Sequence, residues 1–267
     1  MDLLFEPMFR VPFVTGLLLA LLLPVVGVLA RLRNEWLAAL GFAHLAGAGG
    51  ALGSLLLLPV LPAAVLCAIA GVMARALWQR SGNDLYALMI LGGWSVMVLA
   101  AAVSRHASSL GQMLVDGQLY FTRWPYLLSA LVLMLVALPC LLWLMRRLLR
   151  LSLLPWQDQA NGYPVRRVVL LFNVLLALSV ALAAMVMGVM ATFALLFLPA
   201  WVAFGVAASW RQAWLFAALL GGVGYLLAFV AALLLDMPFG PVLTAVLCLS
   251  VLLRLRASGQ AAEASHN

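Results

Sequence analysis

Long apolar runs, each broken by a few polar residues, dominate the chain from end to end. A helix crossing a hydrocarbon core about 30 Å thick needs about 20 apolar residues. Runs of that kind cover 11–30, 37–58, 61–78, 85–103, 125–145, 168–187, 191–209 and 213–235, with a shorter one at 240–253. The short run is read as a tilted short span or a partly re-entrant one. No run alternates apolar with polar residues as a barrel strand would, and backbone groups in lipid must be satisfied internally, so the runs predict helices. The expectation is an all-α, polytopic membrane bundle of about nine spans, eight of full length and one short.

Two of the predicted loops are long, 104–124 and 146–167, and the second is punctuated by Pro155, Asn161, Gly162 and Pro164. No internal repeat is visible. Residues 1–256 are read as one membrane domain and 257–267 as a flexible tail. The chain opens with Asp2 and Glu6 rather than a basic stretch, so its first apolar run reads as a span and not as a cleaved signal.

Composition supports this picture. Of the 267 residues, 67% are apolar and 9% charged, against roughly 45–50% and about 25% in an ordinary soluble domain. Every basic residue is Arg, and the absence of Lys excludes a Walker A phosphate loop and Schiff-base chemistry. The pI near 10.2 is explained by arginines at the ends of apolar runs, which argues against nucleic acid as a partner. With the N-terminus outside, Arg31, Arg33, Arg75, Arg80, Arg146, Arg147, Arg150, Arg166, Arg167, Arg211, Arg254 and Arg256 fall inside, whereas Arg10, Arg105 and Arg123 fall outside. That asymmetry obeys the positive-inside rule and predicts an N-out, C-in arrangement.

Few residues carry chemistry. Cys67, Cys140 and Cys248 lie in separate apolar runs without ligand spacing and read as small buried hydrophobes. Ionisable groups within spans are expensive and point to function. Apart from Arg75, close enough to a helix end to snorkel, only His44 lies well inside a span. Gly47, Gly49, Gly50 and Gly53 follow it, which permits close helix approach or a helix break beside a cavity. His44 is either a pathway ligand or a structural histidine bonded to a neighbouring helix. His106 reads as a solvated loop residue and His266 as incidental. Met185, Met187 and Met190 read as packing rather than a soft-metal track. Asp236, before Pro238, Gly240 and Pro241, either attracts cations at the outer end or marks the end of a helix. No G-x-S-x-G, H-E-x-x-H or pair of intramembrane acids is present, so the chain is not read as an enzyme.

Three stretches carry a resemblance. Residues 188–200 (GVMATFALLFLPA), 236–241 (DMPFGP) and 162–167 (GYPVRR) resemble, in order and spacing, the G-V-L-L-x-x-A-L-L-x-x-P-A, D-x-P-T-G-P and G-x-P-V-R-R motifs of membrane permeases from bacterial zinc/manganese ABC importers. Near the second span the family pattern is similar at Arg33, His44 and Gly49, whereas Leu40 stands where it has an acid one helical turn before the histidine. The resemblance implies a permease homodimer in a bacterial cytoplasmic membrane, a separate ABC ATPase subunit that holds the ATP, and an extracytoplasmic metal-binding protein. It implies coupling to the ATPase through the inner loop, with Asp158, Gln159, Gly162, Arg166 and Arg167 as contact residues. His44 would face the metal path and Asp236 its outer end, and no cofactor is expected in the chain itself. An imidazole without its carboxylate suits borderline Zn²⁺ better than hard Mn²⁺, so zinc is the expected cargo. The alternative is a non-transporting membrane scaffold or assembly protein that keeps the permease fold.

Overall fold

Each apolar run forms a helix because the backbone has no other way to satisfy its polar groups in lipid. The computed structural model describes residues 7–78, 82–103, 117, 119–154, 161 and 164–255. Within them run α1 (Pro7–Leu32), α2 (Leu37–Leu55), α3 (Val60–Leu77), α4 (Gly82–Val103), α5 (Trp124–Leu153), α6 (Val165–Met187), α7 (Val189–Val206), α8 (Trp210–Leu235) and α9 (Phe239–Leu249), with a 3-10 turn at Leu119–Phe121. No strand occurs among the described residues. Eight helices are long and apolar enough to cross a membrane, and an apolar stretch over Phe239–Leu255, with a turn at Ser250, is the short ninth. The chain is thus a multi-pass membrane protein of the expected class. The tail 257–267 lies outside the described residues.

Without a hydrophobic drive between helices in lipid, close backbone approach decides which ones pack. α2 is the most enclosed example, built largely from Ala and Gly and buried along most of its length. A Cβ on Gly49 would meet the Ala63 carbonyl of α3 at 2.5 Å, and one on Gly93 of α4 would meet the His44 carbonyl at 2.7 Å. The glycines after His44 therefore serve helix–helix approach. α2 is not broken beside a cavity; it runs without interruption from Leu37 to Leu55. α1 approaches α7 equally closely, with Gly27 against the Leu196 carbonyl, and α8 through Gly221 against Pro24. α6 and α7 are separated by Gly188 alone, whose φ of 89° admits the reversal that an L side chain would strain.

Polar residues inside the spans are mostly silenced by their own helix. Thr15, Ser179 and Thr192 each donate to the carbonyl four residues earlier, at 2.7 Å. An aromatic cluster of Phe13, Tyr120, Tyr225, Phe229 and Phe239 ties together α1, α8, α9 and the 3-10 turn. Tyr225 donates to the Phe13 carbonyl at 3.0 Å. Burial holds the Tyr120 phenol, which has no hydrogen-bond partner among the described residues, up at about 12. The cysteines depart from expectation: Cys67 and Cys140 are half-buried and Cys248 is exposed.

Candidate functional site

His44 sits midway along α2 and is 8% exposed. Its Nδ1 lies 2.8 Å from the Leu40 carbonyl oxygen. A carbonyl only accepts, so Nδ1–H donates, and in the neutral ring Nε2 carries the lone pair. Nε2 has no hydrogen-bond partner among the described residues, unlike the span hydroxyls that donate into their own helix. The ring is oriented by the backbone of residue 40, whatever side chain that residue carries.

The stripe of α2 that contains His44 stays partly open. At one end Trp36 stacks on Phe197 of α7, with ring centroids 4.8 Å apart, and Phe197 stacks in turn on Phe193 at 5.5 Å. Phe193 and Phe197 are four residues apart and share a face of α7, as Trp36, Leu40 and His44 share one of α2. Arg31 closes this end, its guanidinium 5.9 Å from the Trp36 ring and 5.4 Å from Phe204. A cavity of about 280 Å³ lies among Gly27, Arg31, Trp36, Phe197 and Phe204.

The methionines divide. Met185 and Met187 are buried, as packing requires, with Met185 facing Gly50, but Met190 on α7 is 57% exposed and packs no core. Asp236 is exposed and left-handed (φ 50°), with its N–H on the Ala232 carbonyl, so structurally it is the residue that ends α8. It is not brought near His44 by any described contact. Arg166 and Arg167 are exposed at the start of α6. Asp158, Gln159 and Gly162 lie outside the described residues, as does His106. Among the described residues no three His, Cys, Asp or Glu side chains gather as a ligand set.

Sequence reading missed Glu35. It is buried between α1 and α2 and accepts from Arg33 (3.0 Å), Arg75 (2.9 Å) and the Tyr86 hydroxyl (3.3 Å). Burial works to raise its carboxyl, but the adjoining Arg33 and Arg75 outweigh this and hold it below the usual carboxylate range. Arg75 therefore does not merely snorkel; it closes an ion cluster that joins the ends of α1, α2, α3 and α4. The signal for Glu35 was its isolation, an acid placed one residue from the last polar break before an Ala/Gly helix.

Residues 5–257 match the model of the ABC 3 transport family. The chain belongs to this family. The family's helical architecture is also found by comparison with solved structures. A chain of PsaBC from Streptococcus pneumoniae in complex with Fab is similar with a TM-score of 0.81 at 17% identity, over 96% of this chain and 93% of that one. A chain from a structure described as the inward-facing conformation of a metal-chelate type ABC transporter gives a TM-score of 0.75 at 19% identity, over 92% and 87%. No curated protein matches. Family membership marks this ABC 3 chain as a transporter subunit and not itself an enzyme.

Proposed function

We propose that the chain is the membrane-spanning permease subunit of an ATP-driven importer of divalent metal ions, with zinc as cargo. The observation that carries this reading is His44: a buried imidazole whose Nδ1–H is fixed by a backbone carbonyl and whose Nε2 remains unpartnered on the open stripe of α2. Metal-binding histidines are commonly oriented in this way, and imidazole suits zinc. Family membership and the two structural likenesses support an ABC importer of metal.

In this reading two copies flank the path in a bacterial cytoplasmic membrane, N-terminus out and C-terminus in. A single chain offers no second half and no complete ligand set among its described residues. A separate ATPase docks on the inner loop, with Asp158, Gln159, Gly162, Arg166 and Arg167 at the contact. An extracytoplasmic binding protein delivers the ion near Asp236. The contacts among Arg31, Trp36, Phe204, Arg75 and Glu35 gather the arginine-bearing helix ends at one side of the bundle, which supports a single inner face.

The test is elemental analysis of mildly chelated cells lacking the chain, complemented with wild type or with His44→Ala. Zinc should fall in the null strain, and only wild type should restore it. Normal zinc in the His44→Ala strain, with the complex assembled, removes His44 from the path. The second reading, a non-transporting scaffold, is favoured by Leu40 in place of an acid. It predicts no change in any divalent metal and no stoichiometric ATPase in a mild-detergent pull-down.

A further inference from the structure

A groove of about 730 Å³ opens between the end of α5 and the start of α8, lined by Arg146, Arg147, Arg211, Trp143, Trp210 and Trp214 among others. Every polar side-chain atom in its lining is a donor: three guanidiniums and the indole N–H groups, with no acceptor side chain. Arg147 lies over the Trp143 ring at 4.3 Å, and Trp210 Nε1–H is buried without an acceptor among the described residues. None of the three arginines pairs with an acid among the described residues. This contrasts with a second groove, between α3 and α6, that holds Arg75 and Arg166, where Arg75 is already spent on Glu35.

Depth identifies the occupant. Arg146 lies 22 residues from the start of α5 at Trp124, about 33 Å along the helix. Arg211 lies 24 residues before the end of α8 at Leu235, about 36 Å. With a hydrocarbon core about 30 Å thick, both place their guanidiniums at headgroup level. Tryptophans favour that same level, and exposed Leu138, Leu142 and Leu215 continue the groove as an apolar wall toward the core.

We propose that this groove is a binding site for an anionic phospholipid, with charge and room for two phosphodiesters held by Arg146, Arg147 and Arg211 and with acyl chains along α5 and α8. Guanidinium forks match phosphate oxygens, and basic pockets between spans at the inner leaflet select such headgroups. The inference rests on the proposed N-out, C-in orientation, which puts this groove at the inner leaflet, and is independent of the cargo.

The test uses the full-length chain purified in mild detergent and titrated with tetraoleoyl cardiolipin or dioleoyl phosphatidylcholine, with bound lipid counted by native mass spectrometry. Cardiolipin should be retained at least roughly tenfold better, and Arg211→Gln should weaken it about fivefold. The triple change to Gln at 146, 147 and 211 should erase the preference, Arg166→Gln should leave it intact, and millimolar inorganic phosphate should not displace the lipid. A preference that survives the triple change overturns the proposal. Should that variant fail to insert, a photoactivatable cardiolipin decides on the wild type. Label confined to 142–149 and 210–214 supports the site, and label elsewhere overturns it. Loss of that label when the ATPase subunit binds would also overturn it, because the groove would then be a protein-docking surface.

Discussion

Replacing Glu35 with Ala removes the one acid of a buried cluster and leaves two guanidiniums facing each other without a counter-charge. Deleting one partner of a fully buried ion pair costs about 3–5 kcal/mol. Here the Arg33 and Arg75 side chains keep 17% and 18% of their exposure, so water recovers part of the loss and about 2–3 kcal/mol remains. At roughly 2–4 °C per kcal/mol for a chain of this size, the melting temperature in detergent should fall by about 4–12 °C, read by fluorescence-detected size exclusion. Glu35→Gln keeps an acceptor for Tyr86 and should lose about half as much. Combining Glu35→Ala with Arg75→Ala should cost at least about 1 kcal/mol less than the two separately, because they share one interaction. The pH dependence has a definite sign. Because the folded carboxyl sits below its ordinary value of 4.5, the stability it contributes is fully present above that value and is lost as pH falls below it toward the lowered pKa. Wild-type and Glu35→Ala curves should therefore converge in acid. A melting temperature for Glu35→Ala within about 1 °C of wild type at neutral pH, or strict additivity with Arg75→Ala, refutes the account.

Gly27→Ala drives a methyl into the Leu196 carbonyl; α1 and α7 must separate, and thermal stability should drop by about 1–3 kcal/mol. Tyr225→Phe keeps the aromatic packing and removes only the bond to the Phe13 carbonyl, so unfolding should cost about 1 kcal/mol less; no change in melting temperature would show that bond to be without weight. Leu40→Asp adds a carboxylate one turn before an imidazole already oriented by the backbone. Competitive uptake should shift toward manganese relative to zinc, and an unaltered ratio would detach position 40 from selectivity.

The spans were legible because lipid imposes one rule on every segment, and eight of the nine helices match their apolar runs closely. Boundaries were less so. α5 runs to Leu153, beyond its apolar run, because Arg146, Arg147 and Arg150 extend the helix past the hydrocarbon and hydropathy stops reporting there. His44 was legible as the isolated ionisable group within a span, but its orientation was not, since a bond to a main-chain carbonyl leaves no trace in residue type. Glu35 stood alone as an acid, but its role was not legible for a related reason: its partners Arg75 and Tyr86 are 40 and 51 residues away. Met190 escaped because three methionines read as one packing group, whereas α7 turns only this one outward.

The geometry at residue 40 reconciles the two features of α2 that pull in opposite directions. A carboxylate at that position would supply a second ligand, and its absence favours a chain that has lost transport. Yet a histidine retained only for packing would be expected to spend both nitrogens on the fold, as Thr15, Ser179 and Thr192 donate their hydroxyl protons into their own helices. His44 commits Nδ1 alone, to a carbonyl that any residue at 40 would provide. It keeps Nε2 uncommitted, in a helix packed so tightly that Gly93 of α4 rests on its backbone. Nε2 is not among the enclosed side-chain atoms that lack a partner, so it reaches open space beside α2, and facing lipid there it would carry a cost that a leucine or alanine at 44 would avoid. On the proposed reading that cost is understandable if something polar passes Nε2, which supports transport of a nitrogen-preferring ion over a silent scaffold.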